Sequence, residues 1–369
     1  MKVSWVSCLP SRNGAVIFDI TVATVWDFRA MKAVVLESFG KLEMRDLPVP
    51  KPGPGQVLVR IRAASLNYRD LLMVKGGYGS VAKPPFVPVS DGAGEVAEVG
   101  PGVTRVKPGD RVTMSFFQKW LAGPAHRLDP RAVPDKAALG GPNDGALREF
   151  GLFDESGVSV VPAHLSYEAA ACLPCAGLTA WSAVVAQATT EPGDVVITQG
   201  TGGVSIFALQ FAKLRGCRVI ATSSSDAKIA RLKQLGADVT INYKTTPEWG
   251  KAARAANGGH GVDQVVEVGG AGTLAQSIRA TRFGGTLSMI GVLGGASGDV
   301  PVALIVMSNL RLQGITVGNR ADLDQMIRAI DVAKLEPVVD SVFPLDKWAD
   351  AMAHMSAGKH FGKVCIGIG

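Results

Sequence analysis

The chain has 369 residues, of which 47% are apolar and 19% charged, and its net charge is +6. This profile indicates a well-packed globular enzyme and excludes a disordered chain. The basic residues are scattered, which argues against a nucleic-acid partner, and no apolar stretch reaches transmembrane length. Five cysteines without a disulfide-like spacing predict a reduced, cytoplasmic protein.

The first thirty residues differ from the rest of the chain. They lack the basic start, the apolar run and the cleavage site of a signal peptide, because Arg12, Asn13 and Asp19 interrupt them. Met31 then opens a strand-like pattern, "MKAVVLESF". We therefore expect residues 1–30 to be a dispensable extension.

The remaining chain divides into two predicted domains. From Met31 to residue 165, short strand patterns alternate with turns rich in Pro and Gly, which predicts an all-β, barrel-like domain. Over residues 166–339 apolar strands alternate with helices, which predicts a doubly wound parallel sheet, so the fold class is α/β. The last helix and strand, in residues 340–369, are expected to return to the first domain.

A long irregular stretch, residues 116–148, interrupts the first domain. Loops of this length usually have a function. Its "FFQKW" start could line a substrate pocket, although buried aromatic side chains more often belong to a core.

A glycine-rich stretch, "TQGTGGVS" at residues 198–205, follows a strand and opens a helix. This is the context that a phosphate-binding loop requires, although a purely structural turn is the alternative. Gly200 permits the tight turn, Gly202 lets the backbone approach a pyrophosphate, and Ser205 replaces the usual third glycine. The predicted cofactor-binding residues of the loop are Gly200, Thr201, Gly202, Gly203 and Val204, and Val292 and Asn319 are added from later segments.

The end of the next strand, "IATSSSDAK", predicts which cofactor binds. NAD-binding proteins place Asp or Glu there, whereas Ser223 and Ser224 leave room for a 2′-phosphate. Lys228 and Tyr243 are added as further contacts, and together these residues predict NADPH. NADH stays open, because Lys228 can equally be a solvated helix residue.

Cys172 and Cys175 form a Cys-x-x-Cys pair in "ACLPCAGLTAW". A redox motif of this spacing would follow a strand directly, and a zinc knuckle would need a second pair of ligands. The pair instead lies in a predicted helix that begins after Ser166, and Pro174 is expected to bend or end the first helical segment.

Several motifs together resemble the medium-chain dehydrogenase/reductase superfamily from Met31 to Gly369. They are "ASLNYRDLLMVKGGYG", "LPCAGLTAW", "GTGGVSIFALQFAK", "LGADVTINY" and "GKHFGKV", in the family's order and spacing. The resemblance implies a GroES-like β-barrel catalytic domain (31–165 and 340–369), a Rossmann domain (166–339), a nicotinamide cofactor in the cleft and usually a homodimer.

The resemblance also bears on zinc. The three catalytic ligands of the zinc alcohol dehydrogenases fall on Asn67, on Ser90 and on Cys175 of this chain. An amide and a hydroxyl are poor zinc ligands, and residues 115–150 contain none of the cysteines of the family's structural zinc lobe. We therefore predict no metal.

Without zinc the resemblance points to the quinone and enone reductase branch of the family. The predicted activity is NADPH-dependent hydride transfer to a quinone or an α,β-unsaturated carbonyl compound, a small-molecule substrate. One alternative is an alcohol or aldehyde dehydrogenase that uses NAD(P). The other is an inactive module that senses NADPH.

The predicted catalytic residues are Tyr78, Asn67 and Tyr68. Tyr78 has the spacing of the proton donor of enoyl thioester reductases, which this segment resembles, although a lid or a packed loop residue is the alternative. Asn67 is expected to face the nicotinamide, with a turn-forming asparagine as the alternative. Arg69 is expected either to reach the substrate or to pair with Asp70.

Overall fold

The structure is a computed structural model that describes residues 30–77, 82–125 and 138–369, and the backbone alone of residues 2–10 and 16–24. Strands β1 (Lys2–Pro10) and β2 (Val16–Thr24) form an antiparallel hairpin within the stretch expected to be dispensable. Tyr78, the predicted proton donor, lies outside the described residues. Over the described ranges no helix combines the length and the apolar character needed to cross a membrane.

The first domain is built mainly on antiparallel strands. Its main sheet has the order β16-β17-β5-β6-β7-β9, with β8 also beside β5, and a separate pair joins β3 to β4. The bounds are β3 (Met31–Ser38), β4 (Lys41–Leu47), β5 (Gln56–Ser65), β6 (Asp91–Val99), β7 (Arg111–Met114), β8 (Phe150–Asp154), β9 (Val158–Val160), β16 (Val339–Pro344) and β17 (Lys363–Gly367).

Strand β17 decides where the end of the chain lies. It pairs antiparallel with β5, with Cys365 opposite Ser65 and Gly367 opposite Ala63. Apolar side chains at successive positions of β17 are buried, as expected of a strand inside a sheet. The start of β17 is therefore brought beside the residues that follow β5, and helix α1 (Tyr68–Val74) begins there.

The second domain is a six-stranded, fully parallel sheet of order β12-β11-β10-β13-β14-β15, which confirms the predicted fold class. The order reverses beside β10, and ligands of such sheets bind at this switch point. The strands are β10 (Val195–Gln199), β11 (Arg218–Ser223), β12 (Val239–Asn242), β13 (Val262–Glu267), β14 (Thr281–Met289) and β15 (Arg311–Gly314).

In the part of the chain that the structure describes, six helices follow the strands of this sheet along the chain, and a seventh lies between β16 and β17 of the first domain. In chain order they are α4 (Gly203–Leu214), α5 (Asp226–Gln234), α6 (Trp249–Ala256), α7 (Ala271–Ala280), α8 (Val302–Met307), α9 (Arg320–Ala333) and α10 (Trp348–Ser356). The buried apolar strands are covered by them, which explains the strongly apolar strand patterns in the sequence.

The Cys-x-x-Cys stretch lies in helical backbone at the entrance to the second domain. Helix α2 (Tyr167–Ala171) begins after Ser166, whose Oγ accepts a hydrogen bond from the Ala169 N–H at 3.1 Å. A π-helical turn (Leu173–Gly177) contains Pro174 and precedes α3 (Leu178–Trp181). The prediction of an interrupted helix thus agrees with the structure.

The aromatic residues at the start of the 116–148 stretch belong to a core. Phe116, Phe117 and Trp120 are all buried, and the rings of Phe116 and Phe117 meet edge to face at 4.6 Å. The alternative of a core position therefore describes these three side chains.

Candidate active site

The glycine loop leaves open space on one side. Gly200 has φ of +71°, a left-handed conformation that glycine adopts without strain. A Cβ built on Gly200 or Gly202 would meet no atom within 4 Å, so the backbone borders open space at both positions. Helix α4 starts at Gly203, and its N-cap residue Gly202 offers no side-chain cap. The N–H groups of the first turn of a helix, beside open space, fit a pyrophosphate.

The other side of the loop is tightly packed. A Cβ built on Gly203 would lie 2.5 Å from Cδ of Lys363. The Thr201 carbonyl accepts a hydrogen bond from the Gly362 N–H at 2.9 Å, which ties the loop to the start of β17. Ser205 is buried, and its Oγ donates to the Gln199 carbonyl at 2.6 Å. Serine is therefore accommodated where a third glycine is usual, and Val204 packs at the edge of the core.

Hydroxyl groups lie at the end of β11. Ser223 is buried and Ser224 is half-buried, and Tyr243 is exposed after the adjacent strand β12. The nearest acid, Asp226, accepts a hydrogen bond from Asn242 Nδ2 at 2.8 Å. This end of the sheet thus presents hydroxyls where an NAD-binding protein presents a carboxylate.

Lys228 is engaged by the other domain. Its Nζ donates to the carbonyls of His360 at 2.8 Å and of Gly358 at 3.2 Å. In this structure the ammonium group therefore ties α5 to the segment before β17.

The two later cofactor-binding predictions fall in different settings. Val292 is exposed in the loop after β14. Asn319 is buried at the N-cap of α9, where its Oδ1 accepts from the Asp322 N–H at 2.9 Å and its Nδ2 donates to Asp322 Oδ2 at 2.7 Å. Its side chain thus caps a helix.

A chain of buried polar groups lies beside the glycine loop. Asn67, Ser90 and Asp91 are all buried. Asn67 Nδ2 donates to Ser90 Oγ at 3.3 Å, and Ser90 Oγ donates to Asp91 Oδ1 at 2.9 Å. Asp91 Oδ2 accepts from the backbone N–H of Cys175 at 3.1 Å. The residues predicted at the former ligand positions are therefore brought together in space.

Asp70 holds the two segments that carry this chain. Its carboxylate accepts from the backbone N–H of Asn67 at 2.8 Å and from that of Ser90 at 3.2 Å. Asp70 is fully buried, and this burial raises the pKa of its carboxyl group. Arg69 donates to the carbonyls of Leu139 and Gly141 and so anchors α1 to a neighbouring loop.

Lys363 is the site residue that the sequence analysis missed. Its side chain is only 3% exposed, and its Nζ donates to Asn67 Oδ1 and to the Leu66 carbonyl, each at 2.5 Å. A signal was present, since this lysine stands in the apolar closing strand between Gly362 and Val364. A charged residue in such a strand needs a buried partner.

Burial shifts the ionisation of the two groups next to this chain. Burial raises the pKa of the Asp91 carboxyl to about 6, and the nearby Lys363 charge opposes that rise. Burial also raises the pKa of the Cys175 thiol, with a further rise from Asp91. Cys175 is therefore a neutral thiol at neutral pH.

These residues do not fit a catalytic zinc ion. Zinc in proteins binds thiolate, imidazole or carboxylate groups, whereas Asn67 offers an amide and Ser90 a hydroxyl, which leaves Cys175 as the one customary zinc ligand of the three. The amide oxygen of Asn67 already binds the ammonium group of Lys363. Among the residues that the structure describes, no three His, Cys, Asp or Glu side chains are grouped to hold a metal.

Tyr68 stands at the edge of the site. It is the first residue of α1, directly after Asn67, and its side chain is 45% exposed. Its ring is therefore accessible from solvent and lies outside the buried chain.

Comparisons with known proteins cover nearly the whole chain. Residues 53–163 match the family model of the alcohol dehydrogenase GroES-like domain, and residues 203–331 match that of the zinc-binding dehydrogenases. A zinc-type alcohol dehydrogenase-like protein of Schizosaccharomyces pombe is 40% identical over 90% of this chain and 97% of its own length.

Two further relatives are named as an alcohol dehydrogenase and as a crotonyl-CoA reductase. A crystal structure of a putative alcohol dehydrogenase from Sinorhizobium meliloti 1021 is 40% identical, with a TM-score of 0.86, over 92% of this chain and 99% of that one. A crotonyl-CoA reductase of Streptomyces avermitilis is 30% identical over 88% of this chain and 81% of its own length. The chain therefore belongs to the medium-chain dehydrogenase/reductase superfamily of oxidoreductases.

Proposed function

We propose that the protein is an NADPH-dependent oxidoreductase that reduces a quinone or an α,β-unsaturated carbonyl compound without a catalytic zinc ion. The observation that carries the proposal is the contact between Lys363 Nζ and Asn67 Oδ1, which places an ammonium group at a former metal-ligand position. The crotonyl-CoA reductase among the relatives, whose name denotes reduction of an enoyl thioester, supports the same class of reaction.

The residues present fit the cofactor. Gly200 and Gly202 border free volume for the pyrophosphate, and the end of β11 carries the hydroxyls of Ser223 and Ser224 in place of the carboxylate of an NAD-binding protein. When bound, NADPH supplies the hydride. In the proposed reaction Asn67 donates a hydrogen bond to a substrate oxygen through the second hydrogen of Nδ2, since the first is bonded to Ser90 Oγ.

The proposed function is tested with the purified protein and a panel of substrates. Quinones, enones, enoyl thioesters and alcohols are assayed with NADPH and NADH, and bound zinc is measured. We expect NADPH oxidation with quinones or enones, and much less than one zinc ion per chain. Alcohol oxidation by a protein holding about one zinc ion per chain would contradict the proposal.

An alcohol or aldehyde dehydrogenase is the second candidate. The names of the S. pombe and S. meliloti relatives favour it. The same panel separates the two, because a dehydrogenase oxidises alcohols with NAD(P)+. If NADPH binds and no substrate consumes it, the inactive sensing module is the better description.

Cofactor preference is tested at the end of β11. Ser223→Asp introduces a carboxylate that repels a 2′-phosphate and can bind ribose hydroxyls. We expect the NADPH affinity to fall by about 10- to 100-fold relative to NADH, a change of a few kcal/mol. Equal affinities of the wild-type protein for the two cofactors would contradict the NADPH assignment.

We also propose that two copies of this chain form a homodimer through the β15 edge of the parallel sheet. Met307 on α8 is 75% exposed, and Val306 on the same helix and Leu312 on β15 are exposed apolar residues. Exposed apolar surface next to β15, the edge strand of the sheet within the described residues, favours a second copy of the same chain. Light scattering should give the mass of a dimer for the wild-type protein and of a monomer for Met307→Asp.

The cysteines support a cytoplasmic location. Cys172, Cys175, Cys217 and Cys365, the cysteines whose side chains the structure describes, are all free thiols. Free thiols persist in reducing compartments. Cell fractionation checks this assignment.

A further inference from the structure

Lys363 is a buried residue whose methylene chain is packed and whose ammonium group is hydrogen-bonded. Strand β17 carries it, its stem passes beside Gly203, and its Nζ donates to Asn67 Oδ1 and the Leu66 carbonyl. Burying an ammonium group is costly unless carboxylates and hydrogen bonds compensate. Asp70 and Asp91 are buried acids of the same cluster, since Asp70 accepts a hydrogen bond from the Asn67 N–H and Asp91 accepts one from Ser90 Oγ. The Lys363 side chain is therefore buried together with hydrogen-bond acceptors and two acidic side chains.

The ammonium group also fixes the orientation of the Asn67 amide. A lysine has donors only, so the atom that faces it must be the amide oxygen. The Asn67 NH₂ group then points away from Lys363, and one of its hydrogens bonds Ser90 Oγ. Ser90 in turn donates to Asp91. Every hydrogen bond from Lys363 to Asp91 thus runs in one direction, and such a chain polarises the amide toward donation.

We propose that, in the enone or quinone reduction proposed for this protein, Lys363 is a positioning residue that takes over the electrostatic role of a metal ion. It holds and polarises Asn67, whose Nδ2 donates to the carbonyl oxygen of the substrate, where negative charge develops as the hydride arrives. The substrate is therefore a compound whose reduction leaves an oxyanion, such as an enone, a quinone or an enoyl thioester. This proposal rests on the proposed function for its substrate class.

A second use of Lys363 would give a different result. Its stem lies against Gly203, next to the space that fits the pyrophosphate, so the ammonium group could instead bind the cofactor. Loss of a cofactor contact raises the Kd of NADPH, whereas loss of transition-state stabilisation lowers kcat. The two roles are therefore distinguishable.

The kinetic test compares Lys363→Met with Lys213→Met. Lys213 pairs with Asp238 on the outer side of the parallel sheet domain, and its loss should leave activity unchanged. For Lys363→Met we expect kcat to fall by about 100-fold, while the Kd of NADPH from cofactor fluorescence changes by less than about threefold. A higher Kd with unchanged kcat would overturn the proposal in favour of pyrophosphate binding.

Two further variants separate positioning from folding. Asn67→Asp keeps an oxygen toward Lys363 but removes the donor, so we expect wild-type thermal stability with strongly reduced kcat. In Asn67→Ala/Lys363→Met the second change should cost no further activity, because Lys363 acts through Asn67. Additive losses in the double variant would overturn the proposed dependence.

A binding experiment without turnover keeps the two proposals apart. The probe is 4-nitrophenolate, an oxyanion titrated by its absorbance against the protein–NADP+ complex. We expect Lys363→Met to weaken its binding by about tenfold or more, and Lys213→Met to leave it unchanged. If the probe binds in this way but no enone or quinone is reduced, the proposed function fails and the role of Lys363 stands. If the wild-type complex does not bind the probe, or binds it without regard to Lys363, that role is wrong.

Discussion

The glycine loop and the buried cluster around Asn67 lie side by side, yet the first is formed by backbone and the second by side chains. The loop consists of backbone next to free volume, since Gly200 and Gly202 face no neighbouring atom. The cluster consists of buried polar side chains that hydrogen-bond to one another. The loop is thus open to a large anionic ligand, whereas the polar groups of the cluster find their hydrogen-bond partners within the protein. The difference implies that mutations should act on binding in the first region and on charge balance in the second.

The largest effect on cofactor binding is expected when the open space beside the glycine loop is filled by a side chain. Gly202 has extended backbone, φ −75° and ψ 172°, which valine adopts readily, so Gly202→Val should fold normally. Its side chain would occupy the space that fits the pyrophosphate, and we expect the Kd of NADPH to rise by about 1,000-fold, or about 4 kcal/mol. Isothermal titration calorimetry measures the change. Ala255→Val, at an exposed position of α6, is the control. Unchanged affinity in Gly202→Val would place the cofactor elsewhere.

The charge balance of the cluster is tested by pH. The pKa of Asp91 in the folded protein is about 6, above its ordinary value of 3.8, so the protonated carboxyl stabilises the fold. That contribution is complete below about pH 4 and is lost as the pH rises to about 6, by up to about 3 kcal/mol. Urea unfolding across this range should show a decline in wild-type stability that Asp91→Asn lacks. Parallel curves for the two proteins would show that Asp91 ionises normally.

The smallest expected effect comes from the point where the two regions touch. A Cβ on Gly203 would lie 2.5 Å from Cδ of Lys363 and 3.2 Å from Cβ of Ala176. Gly203→Ala should therefore push the buried lysine stem away from the loop and disturb its hydrogen bonds to Asn67 and Leu66. We expect kcat to fall by about tenfold, about 1.4 kcal/mol, and thermal stability to fall as well, because the contact is buried. A kcat equal to that of wild type would show that the position of Lys363 is unimportant.

The two regions also differ in how well the sequence predicts them. The glycine loop follows from local spacing, because a strand, a tight turn and a helix start are encoded within eight residues. Asn67, Ser90 and Cys175 could be placed together only through the family resemblance. Lys363 lies 296 positions from its partner Asn67, and an isolated lysine is ordinarily solvated. Only the pairing of β17 with β5 brings it into the site.

The role of Lys228 is likewise not predictable from local sequence. The spacing puts this residue one turn into α5, where either a phosphate contact or a solvated side chain is possible. The structure shows a third arrangement, in which Nζ binds the carbonyls of Gly358 and His360. Those partners are about 130 residues away in the chain, so no local pattern could indicate them.

The hydrogen bond between the Gly362 N–H and the Thr201 carbonyl has a kinetic consequence. This bond joins the glycine loop to the residue that precedes Lys363. A cofactor bound at the loop therefore also restricts the motion of β17, the strand that carries the ammonium group. A substrate that depends on Asn67 would then bind well only to the cofactor complex. We expect sequential kinetics with compulsory order, cofactor first and oxidised cofactor last, which product-inhibition patterns measure.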